Sequence, residues 1–356
     1  MVLARHGPQQ HAVRAMPQFL SAGAWDEAPI RCRHGQAVER DRGDDQGVVL
    51  LAGRDVPTPG PKSVGVTRQD GGALGTRANG HAGGFLGYAS HPGYPLVDRR
   101  LSVPQAWLED EAEAERRQAC GIPEGVAFTP QPRRGWTLLQ AVHPADGRRC
   151  RGVACDEALG RETTRRDHSA GVGLWYDAEV PHDTRGGRAR PATAVPGWSG
   201  RGRQPTRARV VAGAGEPHAG AVIAAAMPAS AGSQQTIQAG SQGPRVADFA
   251  TLRVITGRDG WPGPEVWLLL RRHPLTGALH TSRSHASQGT PLASLVRMRG
   301  RRWPMAPCVE DGKQYLGRGD DDVRSWPGGH HHRTLCILDH GFLVRLQCRF
   351  KKTPRA

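Results

Sequence analysis

Lysine is nearly missing from this chain. Only Lys62, Lys313, Lys351 and Lys352 occur among 356 residues, so the other 44 of the 48 basic residues are arginines. Isoleucine occurs six times and aromatics make up 5%, which leaves material for a core but not for burying every segment. No apolar run approaches the ~18 residues that a transmembrane helix needs, so a membrane-spanning helix is excluded. The seven cysteines are scattered and odd in number, which argues against a disulfide scaffold. Met1 to Arg14 contains no apolar h-region, so secretion by signal peptide is not expected and the cytoplasm is the expected compartment.

What is abundant is glycine (47), proline (28) and positive charge (+15). Glycine and proline together exceed a fifth of the chain, so much of it is expected to be loop. The arginine bias partly reflects GC-rich codons. Its charge nevertheless attracts polyanions, and nucleic acid is the first partner to consider.

The pattern along the chain divides into four parts. Residues 1–46 read as a short helical lead-in around Met16, Phe19, Leu20 and Trp25. Residues 47–164 open with Gly47-Val-Val-Leu-Leu51, an apolar run bounded by glycine that predicts a buried strand. Strand-like pieces between Gly turns over 63–103 predict an antiparallel meander, and 105–120 is helix-prone. Gly152-Val-Ala-Cys155 is a second buried-strand candidate that runs into Asp156 and Glu157. Residues 165–290 read as an insertion, poorly ordered around 182–245, where Arg, Gly, Pro and Ser leave few apolar anchors. Within it, Val266-Trp-Leu-Leu-Leu270 predicts a strand. Residues 291–356 are predicted helical, with an amphipathic helix over 334–346.

Several motif classes are missing as well. No Walker loop, no Gly-x-Ser-x-Gly and no Gly-x-Gly-x-x-Gly after a strand is present. His330, His331 and His332 point in different directions and lack zinc-finger spacing, so they read as an exposed polar turn. Cys150 and Cys155 have no second pair to complete a metal site. More informative is a predicted helix carrying Arg302, Ala306, Glu310 and Lys313 at i, i+4, i+8 and i+11. Positions i, i+4 and i+11 fall within ~40° of one another on an α-helix. Such a face would set a metal-binding carboxylate between two phosphate-binding cations, but Ala306 occupies the middle position.

In order and spacing, the chain resembles the DDE transposases of bacterial insertion sequences, the branch with a Tyr-Arg-Glu-Lys signature and an RNase H-like fold. The carriers run from about residue 16 to 345. They include Lys62-Ser-Val-Gly-Val66, Gly84-Phe-Leu-Gly-Tyr-Ala-Ser90, Leu96-Val-Asp-Arg-Arg-Leu101 and Ala119-Cys-Gly-Ile-Pro-Glu124. Others are Ala154-Cys-Asp-Glu157, Gly243-Pro-Arg245, Pro291-Leu-Ala-Ser-Leu-Val-Arg297 and Gly300-Arg-Arg-Trp303.

The resemblance implies an α/β, RNase H-like core interrupted by a large insertion. It implies three carboxylates that hold two Mg²⁺ ions for in-line phosphoryl transfer at DNA ends. It also implies terminal inverted repeats as the DNA partner and a homodimer. Of the three carboxylates, Asp156 stands in place. Where the first Asp belongs, the chain has Ala52-Gly53, with Asp55 three residues on in an expected loop. Where the Glu belongs it has Ala306, with Glu310 one turn later as the rescue candidate and Pro304 and Pro307 disturbing the helix. Arg302 and Lys313 keep the signature's spacing, and Arg299 stands at its Tyr. Arg299, Arg301, Arg302 and Lys313 are therefore the expected DNA-phosphate contacts. The expected product is an impaired transposase, or a non-catalytic DNA-binding remnant that represses transposition.

Overall fold

Asp26 starts a helix: its carboxylate accepts from the Ala28 amide at 2.9 Å, taking up a donor that the first turn leaves free. Helix α1 then spans Glu27–Arg42, with Glu27 in its first turn and Arg40 and Arg42 in its last, each charge suiting the dipole at its end. The computed structural model describes residues 18–21, 23–57, 63–71, 76–90, 93–140, 149–160, 171, 173–211, 215–240, 243–258, 260–302 and 323–352. Its fold is mixed α/β and dominated by strands. The chain forms two compact units, residues 1–151 with 301–356 and residues 152–300.

In the first unit, β1 (Val48–Pro57) is buried from Val48 through Ala52. It pairs antiparallel along its length with β3 (Thr76–Ala89), which also pairs with β2 (Thr67–Gly71) and β4 (Leu96–Leu101). The meander expected over 63–103 is therefore present. Short helices α2 (Gln105–Glu109) and α3 (Ala114–Ala119) follow, and the chain leaves α3 through Gly121 at φ +68°. Helix α4 (Gln131–Gln140) buries Leu138 and Leu139, and a Cβ on Gly84 of β3 would come within 3.0 Å of Leu138.

A long helix spans Trp326–Lys352, well beyond the expected 334–346. It and α1 both hold the backbone of β4. His340 Nδ1 accepts from the Leu96 amide at 3.2 Å, and His34 Nε2 lies 2.8 Å from the Leu96 carbonyl. A Cβ on Gly341 would come within 2.5 Å of the His34 ring, so the two helices approach closely only because that position is glycine.

In the second unit, β5 (Gly152–Cys155) pairs parallel with β6 (Trp175–Val180). Helix α5 (Glu157–Gly160) follows β5. Short strands β7 (Arg185–Gly187), β8 (Thr193–Ala194), β9 (Arg209–Val210) and β10 (His218–Ala219) lead to α6 (Gly220–Ala225). Beyond them come β11 (Ser233–Gly240), β12 (Gly243–Arg258), β13 (Trp261–Arg272) and β14 (Leu279–Ser284), then α7 (Leu292–Arg302). Strand β6 pairs with β14, β14 with β13, and β13 with β12. Leu269 and Leu295 pack with Ala286, and Phe249 packs with Val296, seating α7 on these strands.

Within residues 182–245, β7 and β11 pair with β12. Strand pairing uses backbone groups, which Gly and Arg supply as well as apolar residues do, so order here comes from a partner and not from local hydrophobicity. The compact units divide at 151/152 and 300/301, and β5 pairs with β6 inside the second. Finally, His330–His332 form no exposed turn. They lie inside the long C-terminal helix, where His331 is 4% exposed and stacks on Trp25 at 3.8 Å.

Candidate functional site

Asp156 directly follows β5, whose four residues are all buried. Gly152 begins that strand, and any Cβ there would sit 2.1 Å from the Trp175 carbonyl oxygen of β6. At the other end a Cβ on Gly160 would come within 1.9 Å of the Glu179 carbonyl, so α5 can turn against β6 only with glycine. Asp156 is 9% exposed. Its Oδ1 accepts from the Leu159 amide at 3.0 Å and its carbonyl from the Gly160 amide at 2.7 Å, so it caps α5. Asp156→Ala is expected to cost about 1 kcal/mol through loss of this cap, and Asp156→Asn less. Urea denaturation checks both; equal losses for the two variants would contradict a capping role.

The parallel register sets Ala154 opposite Asp177 and Cys155 opposite Ala178. Asp177 and Glu179, two residues apart on β6, share one face of the strand. Both meet Arg299 of α7: Nη1 lies 3.0 Å from Asp177 Oδ2 and Nη2 lies 3.0 Å from Glu179 Oε1. Burial acts to lower the pKa of this guanidinium, but the two carboxylates outweigh it and raise the value. His280 of β14 approaches the same Glu179 oxygen at 3.2 Å, while burial and the charge of Arg271 push its pKa below the usual histidine range. Sequence reasoning missed Asp177 and Glu179. Their signal was the alternation Tyr176-Asp-Ala-Glu-Val180, which reads as a strand with one charged face.

This geometry corrects the expected role of Arg299. It is 7% exposed and already paired with two carboxylates, so it is not available to a DNA phosphate. Arg301 belongs to the first unit, where Nη1 donates to the Ala89 carbonyl at 3.3 Å and Nη2 lies 3.9 Å from Asp44 Oδ2. Arg302 is partly exposed at the end of α7. Ala306, Glu310 and Lys313, with Pro304 and Pro307, lie outside the described residues.

Ala52 and Gly53 sit within β1, opposite Phe85 and Gly84. Asp55 does not lie in a loop. It continues the same strand opposite Ala82, two positions beyond Gly53 and so ~7 Å further along. The strand outlasts its apolar run because β3 is long enough to keep supplying backbone partners.

Among the described residues, no three His, Cys, Asp or Glu side chains are grouped so that they could hold a metal ion. Asp156 offers carboxylate oxygens, but Arg299 occupies Asp177 and Glu179, and Ala52 and Gly53 offer no side-chain oxygen. A pair of hard divalent ions needs several oxygen ligands apiece. These residues do not fit that requirement.

Residues 2–244 match the family model described as DDE superfamily endonuclease. The chain belongs to that family. No curated protein matches it. DDE superfamily endonucleases generally use divalent metal ions, and the match supports a transposase-like nuclease function for this chain. The matched segment contains Ala52, Gly53, Asp156, Asp177 and Glu179, and it ends before α7 and the Ala306 position. No helix among the described residues is long and apolar enough to cross a membrane.

Proposed function

We propose that this DDE-family chain is the transposase-like product of an insertion sequence, with an RNase H-like core, and that it engages element-end DNA with impaired strand cleavage. The observation that carries this reading lies in β1. Ala52 and Gly53, where the resemblance puts the first metal ligand, carry no carboxylate, and that strand pairs them with Phe85 and Gly84. Asp156 is then the remaining ligand for Mg²⁺, and Glu310 the rescue candidate. Arg301, Arg302 and Lys313 serve the DNA phosphates in this reading, which places a homodimer on terminal inverted repeats in the cytoplasm. The net charge of +15 favours retained DNA binding, so a non-catalytic remnant or repressor of transposition is the second reading.

The test is a nicking assay on a labelled oligonucleotide carrying the element end, with Mg²⁺ or Mn²⁺. No nicking is expected from the unmodified chain. Ala52→Asp or Gly53→Asp combined with Ala306→Glu is the minimal repair, since two-metal chemistry needs both ions clamped at once. Metal-dependent nicking by the unmodified chain that disappears in Asp156→Ala would refute the impairment. DNA binding itself is expected to weaken steeply as salt rises.

A further inference from the structure

From Thr184 to Gly215 the chain carries seven arginines, no lysine and no Asp or Glu. All seven arginines are exposed. Strands β8 and β9 pair antiparallel, Thr193 with Val210 and Ala194 with Arg209, so residues 195–208 form the loop of a hairpin arm. Arg190 anchors the base of the arm by donating through Nη2 to the Gly263 carbonyl at 2.9 Å. At the tip Trp198 is 55% exposed, and its indole N–H donates to the Gly202 carbonyl at 3.2 Å. Gly200 and Gly202 adopt φ of +80° and +74°, left-handed values that let the loop fold back beneath the indole. No ion pair or side-chain hydrogen bond ties Arg201, Arg203, Arg207 or Arg209 to a described residue.

A surface that serves solubility alone mixes charges of both signs and keeps large aromatics in. This arm does neither. Guanidinium groups bind phosphate bidentately and stack on bases, which ammonium groups do not. An exposed indole among them matches a base with a free face, and only unpaired nucleotides offer one. The arm's two-residue strands present no element long enough to enter a duplex groove.

We propose that the 193–210 hairpin arm is a binding site for single-stranded DNA, with Arg201, Arg203, Arg207 and Arg209 on phosphates and Trp198 stacked on a base. The proposal rests on the DNA-processing reading above and adds to it the strand state and the surface.

Fluorescence anisotropy of the full chain with oligo(dT) of about 15 nucleotides, and with a duplex of equal length, tests it. Trp198→Ala is expected to weaken oligo(dT) binding roughly tenfold, with duplex binding held within about twofold and Trp198→Phe retaining most of the affinity. Changing the four arginines to glutamine together is expected to lower the salt slope for oligo(dT) by about 3, since each phosphate contact on a single strand contributes ~0.7. Unchanged oligo(dT) affinity in Trp198→Ala, with normal duplex binding, would overturn the arm proposal and leave the DNA reading standing. An unmodified chain that binds neither probe at low salt would overturn both. Matching thermal transitions for the variants and the unmodified chain show that the fold is intact.

Discussion

Arg299→Met is expected to destabilise the second unit by roughly 3–5 kcal/mol, the cost of leaving a buried ion pair half-made. One guanidinium here serves two carboxylates, Asp177 at 2% side-chain exposure and Glu179 at 15%. Asp177 Oδ1 has no hydrogen-bond partner among the described residues, so Arg299 provides what stabilises that buried charge. Methionine keeps much of the volume and removes the charge, which separates electrostatics from packing. The double variant Arg299→Met with Asp177→Asn is expected to regain part of the loss, because the uncompensated charge is gone. Urea denaturation of the three proteins measures the cycle. A loss below about 1 kcal/mol for Arg299→Met would mean that the pair is solvated in solution and the buried picture is wrong.

Acid is expected to unfold the first unit through Glu27. Burial raises the pKa of this carboxyl, but hydrogen bonds from His330 and Thr334 and the charge of Arg99 overcome that and hold it at about 2. The folded value lies below the unfolded value of 4.5, so the stabilisation is complete above pH 4.5 and lost as pH falls toward 2. A shift of that size corresponds to about 3 kcal/mol. His330 acts in the same direction: burial lowers its pKa, so the unfolded chain takes up that proton first as pH falls.

Arg99 does not add to this sum. Burial and repulsion from Arg333 and Arg31 lower its pKa to about 10, so the pair as a whole gains less than Glu27 alone. Arg99 stays charged throughout the acid range, so it does not shape that limb. Glu27→Gln is expected to flatten the stability profile between pH 4.5 and 2, as read from urea midpoints across pH. A profile as steep as that of the unmodified chain would locate the acid sensitivity elsewhere.

The strand that leads into Asp156 was legible in the sequence. The run Gly152–Cys155 ends at Asp156 because an apolar strand followed by carboxylates has little choice but to turn at the surface of its core. Ala52 and Gly53 could be read as lacking carboxylates from their identity alone. The capping role of Asp156 appeared only in the structure, where its Oδ1 accepts from the Leu159 amide. Asp55 misled because its neighbours Pro57 and Pro59 suggest a loop, whereas β3 supplies a partner as far as Pro57. The pairing of β7 with β12 was hidden for the same reason, as the two lie up to about seventy residues apart in sequence.

By itself the sequence determined the buried strands, the helical C-terminus, the arginine-only positive charge and the family to which the chain belongs. These follow from local periodicity, composition and ordered motifs, none of which needs a distant partner. Only the tertiary structure decided which charges are free. Arg299 meets Asp177 across 122 residues, and Glu27 meets His330 across 303. Arg99, an ordinary basic residue in sequence, is 2% exposed and bound to that same Glu27. Strand register and helix docking set such pairings to within an ångström, and a guanidinium tied to a buried carboxylate cannot serve a phosphate. The arginines of the hairpin arm have no such partners among the described residues, and only folding distinguishes them from Arg99 and Arg299.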